Sequence, residues 1–212
     1  QPVHHSRKPA FSLALAKQIV DKGWVVERWT QLYPLLLWRS QPTARRTLTN
    51  EEAYRLRRAL YRFWIYNEAC ADESRQEEFS ILASHRHLFF AQYATHELRE
   101  LEEVLVVFED MLRWDCCPSD STIQRHYSSL SPTRDLLDFG KYSKLVHGSS
   151  NPIREVLVNE SWGDNLSVAS HISHLMQMTP EHLLHFRETC MSKKERERYI
   201  AEIESWTYGQ SG

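Results

Sequence analysis

Three arginines at helical spacing are the first residues in this chain whose type and placement bear on chemistry. Arg55, Arg58 and Arg62 stand at i, i+3 and i+7 within NEEAYRLRRALYRFWIYNEAC, residues 50–70. At about 100° per residue they form one stripe along a helix. Such a row can stay solvated above its aliphatic stems, pair with carboxylates on a neighbouring helix, or grip phosphates. All three uses stay open. The carboxylates in reach for internal pairing are Glu100, Glu103 and Asp110. Phosphate or nucleic-acid recognition, helped by nearby Arg45 and Arg46, is the minority reading, because no nucleic-acid motif accompanies the stripe and the pI is 6.6.

Two further groups offer acid–base or metal chemistry. His96, Glu100 and Glu103 share one helix face, and a histidine with two carboxylates suits a divalent ion. Their order differs from the Glu-x-x-His pairs of di-metal bundles, and they lie on a polar edge, so a solvated acidic face is the simpler account. HISHLMQMTPEHLLHF brings His171, His174, His182 and His185 close in sequence, but Thr179-Pro180 splits the run into two helices. No G-x-S-x-G elbow, P-loop, G-x-G-x-x-G or H-E-x-x-H occurs. Ser-Pro and Thr-Pro dipeptides are accounted for as helix starts. No catalytic residue, metal or cofactor is expected.

The elements that must carry these residues are helical. Six glycines in 212 residues argue against a tightly turning barrel or sandwich, and no apolar run reaches the ~18 residues of a membrane span. Four cysteines, two of them adjacent at Cys116-Cys117, make neither a CxxC zinc pair nor a disulfide framework, and read as reduced intracellular thiols. Starting at Gln1 and ending in GQSG, the chain reads as an excised piece of something longer. The net charge of −2 hides a polarity: residues 1–66 hold twelve Lys/Arg against four Asp/Glu, and residues 67–120 hold four against thirteen. The simplest use of that asymmetry is mutual neutralisation within one domain.

Punctuation places the helices. A first segment over 9–22, with Phe11, Leu15 and Ile19 on one face, is expected to stop at Gly23, and a second to be interrupted by Pro34. Thr49 and Glu52 form a T-x-x-E capping box that opens the arginine-bearing helix. Ala53, Leu56, Leu60, Phe63, Trp64, Asn67 and Cys70 fall on its apolar side, with Tyr54, Tyr61, Ile65 and Tyr66 on the flanks, which suggests a central helix surrounded by others. From Phe79 to Trp114 a long apolar stripe is spoiled only by Glu97; a break near Thr95 would put Glu97 in a first helical turn. Ser131-Pro132, Asn151-Pro152, Thr179-Pro180 and the Ser192/Glu195 box start later helices, the last with Tyr199, Ile203 and Trp206 on one face. Residues 154–161 read as helix rather than strand. The expected fold is an all-α, irregular bundle of roughly seven to ten helices without substantial β-sheet. It forms a single domain over 1–212, with a possible subdivision near 115–120 into 1–114 and 115–212.

The run RRALYRFWIY, residues 57–66, resembles a segment of the form R-R/Q-A-L-Y-R-x-x-x-Y common in uncharacterised helical proteins of filamentous ascomycete fungi, some of them described as F-box-like. ELEEVLVVFEDML, residues 100–112, adds to the likeness. The resemblance implies a fungal, intracellular helical domain in which Arg58 and Tyr61 belong to a recurring structural segment. It carries over no activity, cofactor or catalytic position, and no F-box is found here.

Together these features point to a non-enzymatic protein–protein interaction domain, a scaffold or regulatory subunit of a nuclear or cytoplasmic complex. Its expected contact residues are Arg55, Arg58, Arg62, Glu100 and Glu103, and its expected partner is a helix or peptide of another protein. No membrane contact and no small-molecule substrate are expected. The alternatives are a metal-binding or enzymatic domain built on the His/Glu clusters and a nucleic-acid-binding domain built on the arginine stripe.

Overall fold

The computed structural model describes residues 12–73, 88–129 and 152–209. Among these residues the chain forms eight α-helices and no strand. They are α1 (Leu13–Leu37), α2 (Asn50–Glu73), α3 (Thr95–Met111), α4 (Asp120–Ser129), α5 (Pro152–Glu160), α6 (Asn165–Leu175), α7 (Pro180–Glu188) and α8 (Lys193–Gly209). A π-helical segment, Leu112–Cys116, extends α3. No helix of the described residues is long and apolar enough to cross a membrane.

Helix α1 corrects the expected break at Gly23. It is capped by Ser12, whose Oγ accepts the Leu15 N–H at 3.1 Å, and runs unbroken through Gly23 to Leu37. A Cβ at Gly23 would meet nothing within 4 Å, so the glycine serves no close approach. Its cost in a helix is about 1 kcal/mol. Burial of Val25, Val26 and Trp29 in the next two turns outweighs that. Pro34 likewise sits inside the helix rather than ending it. It opens the last turn, where the helix loses a single hydrogen bond while its neighbours Tyr33 and Leu36 are buried.

The other starts follow the sequence. Thr49 and Glu52 exchange the two hydrogen bonds of a capping box, at 2.7 and 3.2 Å. Ser192 and Glu195 do the same for α8, at 3.0 and 3.3 Å. Helix α3 begins at Thr95, and the Glu97 carboxylate caps the Ala94 N–H at 3.0 Å, which resolves the conflict in the long apolar stripe. Residues 154–160 are helical within α5. Phe11, Phe79 and the Ser131-Pro132 start lie outside the described residues, as do the side chains of Cys70 and Trp206.

Helices α1, α2 and α3 pack around Trp29, Phe63 and Phe108, with ring centroids 4.4 Å apart for Trp29–Phe108 and 5.8 Å for Phe63–Phe108. The same core continues into Leu175, Leu183 and Phe186 of α6 and α7, all fully buried. Two side chains tie the α6–α7 connection to the first half of the chain. Trp29 Nε1 donates to the Pro180 carbonyl at 2.9 Å, and Asn67 Nδ2 donates to the Met178 carbonyl at 2.6 Å, both buried. The hydrophobic core therefore crosses the candidate boundary at 115–120. At that boundary Trp162 N–H donates to the Pro118 carbonyl at 3.0 Å and Asp120 N–H to that of Gly163 at 2.9 Å. Gly163 holds φ +96°, where a side chain would be strained.

Helix α2 is less enclosed than its composition suggests. Ala53, Leu56, Ala59, Leu60, Phe63, Trp64 and Asn67 are buried, but Tyr54, Tyr61 and Ile65 are exposed. Aromatic residues on its flank therefore widen the surface rather than the core. The basic and acidic segments do neutralise each other: Lys22 pairs with Glu68 at 2.6 Å, Arg39 with Asp115, and Arg58 with Glu100.

Candidate functional site

The arginine stripe divides between two environments. Arg58 and Arg62 point at α3. Arg58 Nε donates to Glu100 Oε2 at 3.0 Å while its Nη2 engages Oε1. Arg62 lies 3.4 Å from the same Glu100 oxygen and donates to Glu97. Arg62 and Glu100 are both buried. Tyr93 stacks 4.8 Å from the Arg62 guanidinium, and Tyr54 stands 5.4 Å from that of Arg58. The capping bond from Ala94, with Arg62 and Arg58 beside it, holds the Glu97 carboxyl below the usual range, and the hydrogen bond to Glu100 raises Arg58. Two guanidiniums so engaged leave little for a phosphate.

Arg55 instead pairs with Glu51 on its own helix at 3.3 Å, half exposed. Glu103 is exposed and faces Tyr33, whose hydroxyl is pushed up to about 12 by burial and then by the Glu103 charge. Arg55, Glu100 and Glu103 do meet along one cleft of about 450 Å³, bounded by Tyr33 and Leu37 of α1. Of the expected acidic partners, only Glu100 is used; Glu103 and Asp110 stay on the surface.

Among the described residues no three His, Cys, Asp or Glu side chains converge on a metal-sized site. His96 is exposed, and Glu100 is committed to arginines. The four later histidines fall into two pairs: His171, its ring 5.1 Å from that of Trp162, lines one hollow with His174, whereas the rings of His182 and His185 lie 6.3 and 4.4 Å from that of Tyr199. Cys116, Cys117 and Cys190 are buried, and burial pushes the Cys117 thiol far up, which leaves it protonated and unreactive at neutral pH.

A broader open groove lies elsewhere, between α3 and α6, with a volume of about 750 Å³. Helix α3 contributes two parallel rows to it. Leu98, Leu101 and Leu105 form the inner row, and Arg99, Glu102, Val106 and Glu109 form the rim. Helix α6 and the residue after it contribute Ala169, Ile172, Ser173 and Met176. Leu101 and Ile172 are buried and make the floor, while Val106 is half exposed. The 3-4-3 spacing of the rim and the 3-1-3 spacing on α6 are those of helix faces that pack against another helix.

None of the residues expected to touch a partner lines this groove. Its signal was present in the sequence: Val104 to Phe108 are five consecutive apolar residues, more than one apolar stripe can take, so α3 needs two apolar faces rather than one. That α6 supplies the opposite wall had no sequence signal. No protein-family model, no curated protein and no solved structure matches this chain.

Proposed function

We propose that the chain is a non-enzymatic helical interaction domain, a scaffold or regulatory subunit of an intracellular assembly, that receives a helix of a partner protein between α3 and α6. The observation that carries this reading is the groove itself: two helices present packing-spaced rows to open space. From Leu98 to Glu109 the α3 wall runs about 16 Å, some three helical turns. A helix laid there would complete a three-helix packing and cover Leu98, Leu105, Val106 and Met176. The resemblance to fungal helical proteins supports an intracellular setting, nuclear or cytoplasmic.

On this reading Arg58, Arg62 and Glu100 are positioning residues. They clamp α3 to α2 and so fix one wall of the groove. Arg55 and Glu103 sit on the neighbouring cleft and do not touch the partner.

A photo-crosslinking amino acid placed at Val106 or Ser173 of the full-length protein in its own cells tests this. Both positions are expected to give the same discrete protein adduct, and Ala169→Arg, which fills the groove from an exposed position, is expected to abolish it. Exposed Arg57, on the α1–α2 side, is the control. Adducts of equal strength at Arg57, or none at the groove, reject the proposal.

A further inference from the structure

We infer that the helix the groove receives is cationic, with two Lys/Arg residues seven apart that flank an apolar residue. This inference rests on the groove being a helix-binding site and adds the chemistry of its occupant. The rim of α3 reads Arg99, Glu102, Val106, Glu109, which is positive, negative, apolar, negative at 3-4-3 spacing. Glu102 and Glu109 are i, i+7, so they stand on one face about 10 Å apart along the axis. A partner helix packed beside this row places its own flanking residues opposite at the same spacing. Complementarity then asks for acid, base, apolar, base in one chain direction, or the reverse in the other.

The acidic sign of the rim is only partly consumed internally, by the Glu109–Arg113 pair. Glu102, Glu103 and Asp110 are exposed and form no ion pair among the described residues; Glu109 shares its charge with Arg113 at 2.7 Å, an exposed i, i+4 pair. The opposing wall, Ala169 and Ser173, is small and uncharged, so it neither competes for a cation nor blocks a close approach. Among the described residues Arg99 is the single cation that lines the rim. It sets the order of charges on the partner rather than their overall sign.

Two helix-stapled peptides of roughly 14 residues, sharing one apolar row at heptad spacing and carrying either Lys or Glu at the i and i+7 flank positions, separate the outcomes. The readout is amide chemical-shift change in the full chain at about 50 mM salt. The Lys peptide is expected to shift residues 98–109 and 169–176 and to bind about tenfold more tightly than the Glu peptide, with the advantage lost at high salt. Glu102→Lys with Glu109→Lys, both at exposed positions, is expected to reverse the order. Equal binding of the two peptides in the groove overturns the charge inference and leaves the helix-binding reading standing. Failure of both to shift the groove, or shifts centred on another surface, overturns both.

Discussion

Arg58 and Glu100 meet across the α2–α3 interface in a two-pronged contact, and Arg62, one turn further along α2, shares the same carboxylate. Glu100 and Glu97 together balance the two guanidiniums, and water barely reaches the Arg62–Glu100 part of the cluster, where about 10% of each side chain is exposed. Removing Glu100 would leave a buried, uncompensated charge.

Glu100→Ala is therefore expected to destabilise the fold by about 3 kcal/mol, near the lower end for breaking a buried pair because Glu97 still faces Arg62. In a double-mutant cycle by urea denaturation, Arg58→Glu and Glu100→Arg are expected to be less destabilising together than the sum of the two singles. Glu103→Arg is expected to give no such relief, since Glu103 makes no contact with Arg58. Additive singles at 58 and 100 would reject the pairing.

Trp29 anchors the second half of the chain through its Nε1 bond to the Pro180 carbonyl. Trp29→Phe keeps an aromatic ring against Phe108 but leaves that buried carbonyl without its donor. A loss of about 1–3 kcal/mol is expected, seen as a lower urea midpoint at unchanged slope. A neutral effect would show that the contact is dispensable.

Arg196 is fully buried, and its Nη1 donates to the Cys116 carbonyl at the end of the π-helical segment, at 2.7 Å. Its Nε has no hydrogen-bond partner. Arg196→Met keeps most of the volume and removes that unsatisfied donor, so it is expected to cost about 2 kcal/mol for the lost charged hydrogen bond. Arg196→Ala adds a cavity and is expected to cost more. Thermal or urea unfolding of the two variants checks the order.

His182 lies half-buried, with Nδ1 3.2 Å from the Thr179 hydroxyl, and burial lowers its pKa, opposed by the Glu181 charge and helped by His185. Below the unfolded value of about 6.5 the unfolded chain takes up a proton that the folded chain resists. This contribution to stability is thus complete above about pH 6.5, declines as the pH falls and levels off below the folded value. Glu97 and Glu195, whose folded values are depressed, lose their contributions only at lower pH. His182→Gln is expected to flatten the urea midpoint in the range just below about pH 6.5. An unchanged slope in that window would remove His182 as its source.

The all-α architecture, most helix starts and the buried side of α2 were legible in the residues, because capping boxes, N1 prolines and apolar periodicity act within a few residues of chain. Glu97 illustrates this: its place in a broken stripe put a helix start near Thr95, where α3 begins. Local signals failed at Gly23 and Pro34, where the burial of Val25, Val26, Trp29, Tyr33 and Leu36 against other helices outweighs a breaker's cost. The charge polarity announced that basic and acidic segments face each other, but not that Glu100 rather than Glu103 takes the arginines. The two carboxylates are three residues apart on one helix, and the rotation of α3 against α2 selects between them. The groove as a pair of walls belongs to the tertiary level: α3 carries a second apolar row in its sequence, but α6 becomes its opposite wall only because Trp29 and Asn67 hold the α6–α7 connection against the core.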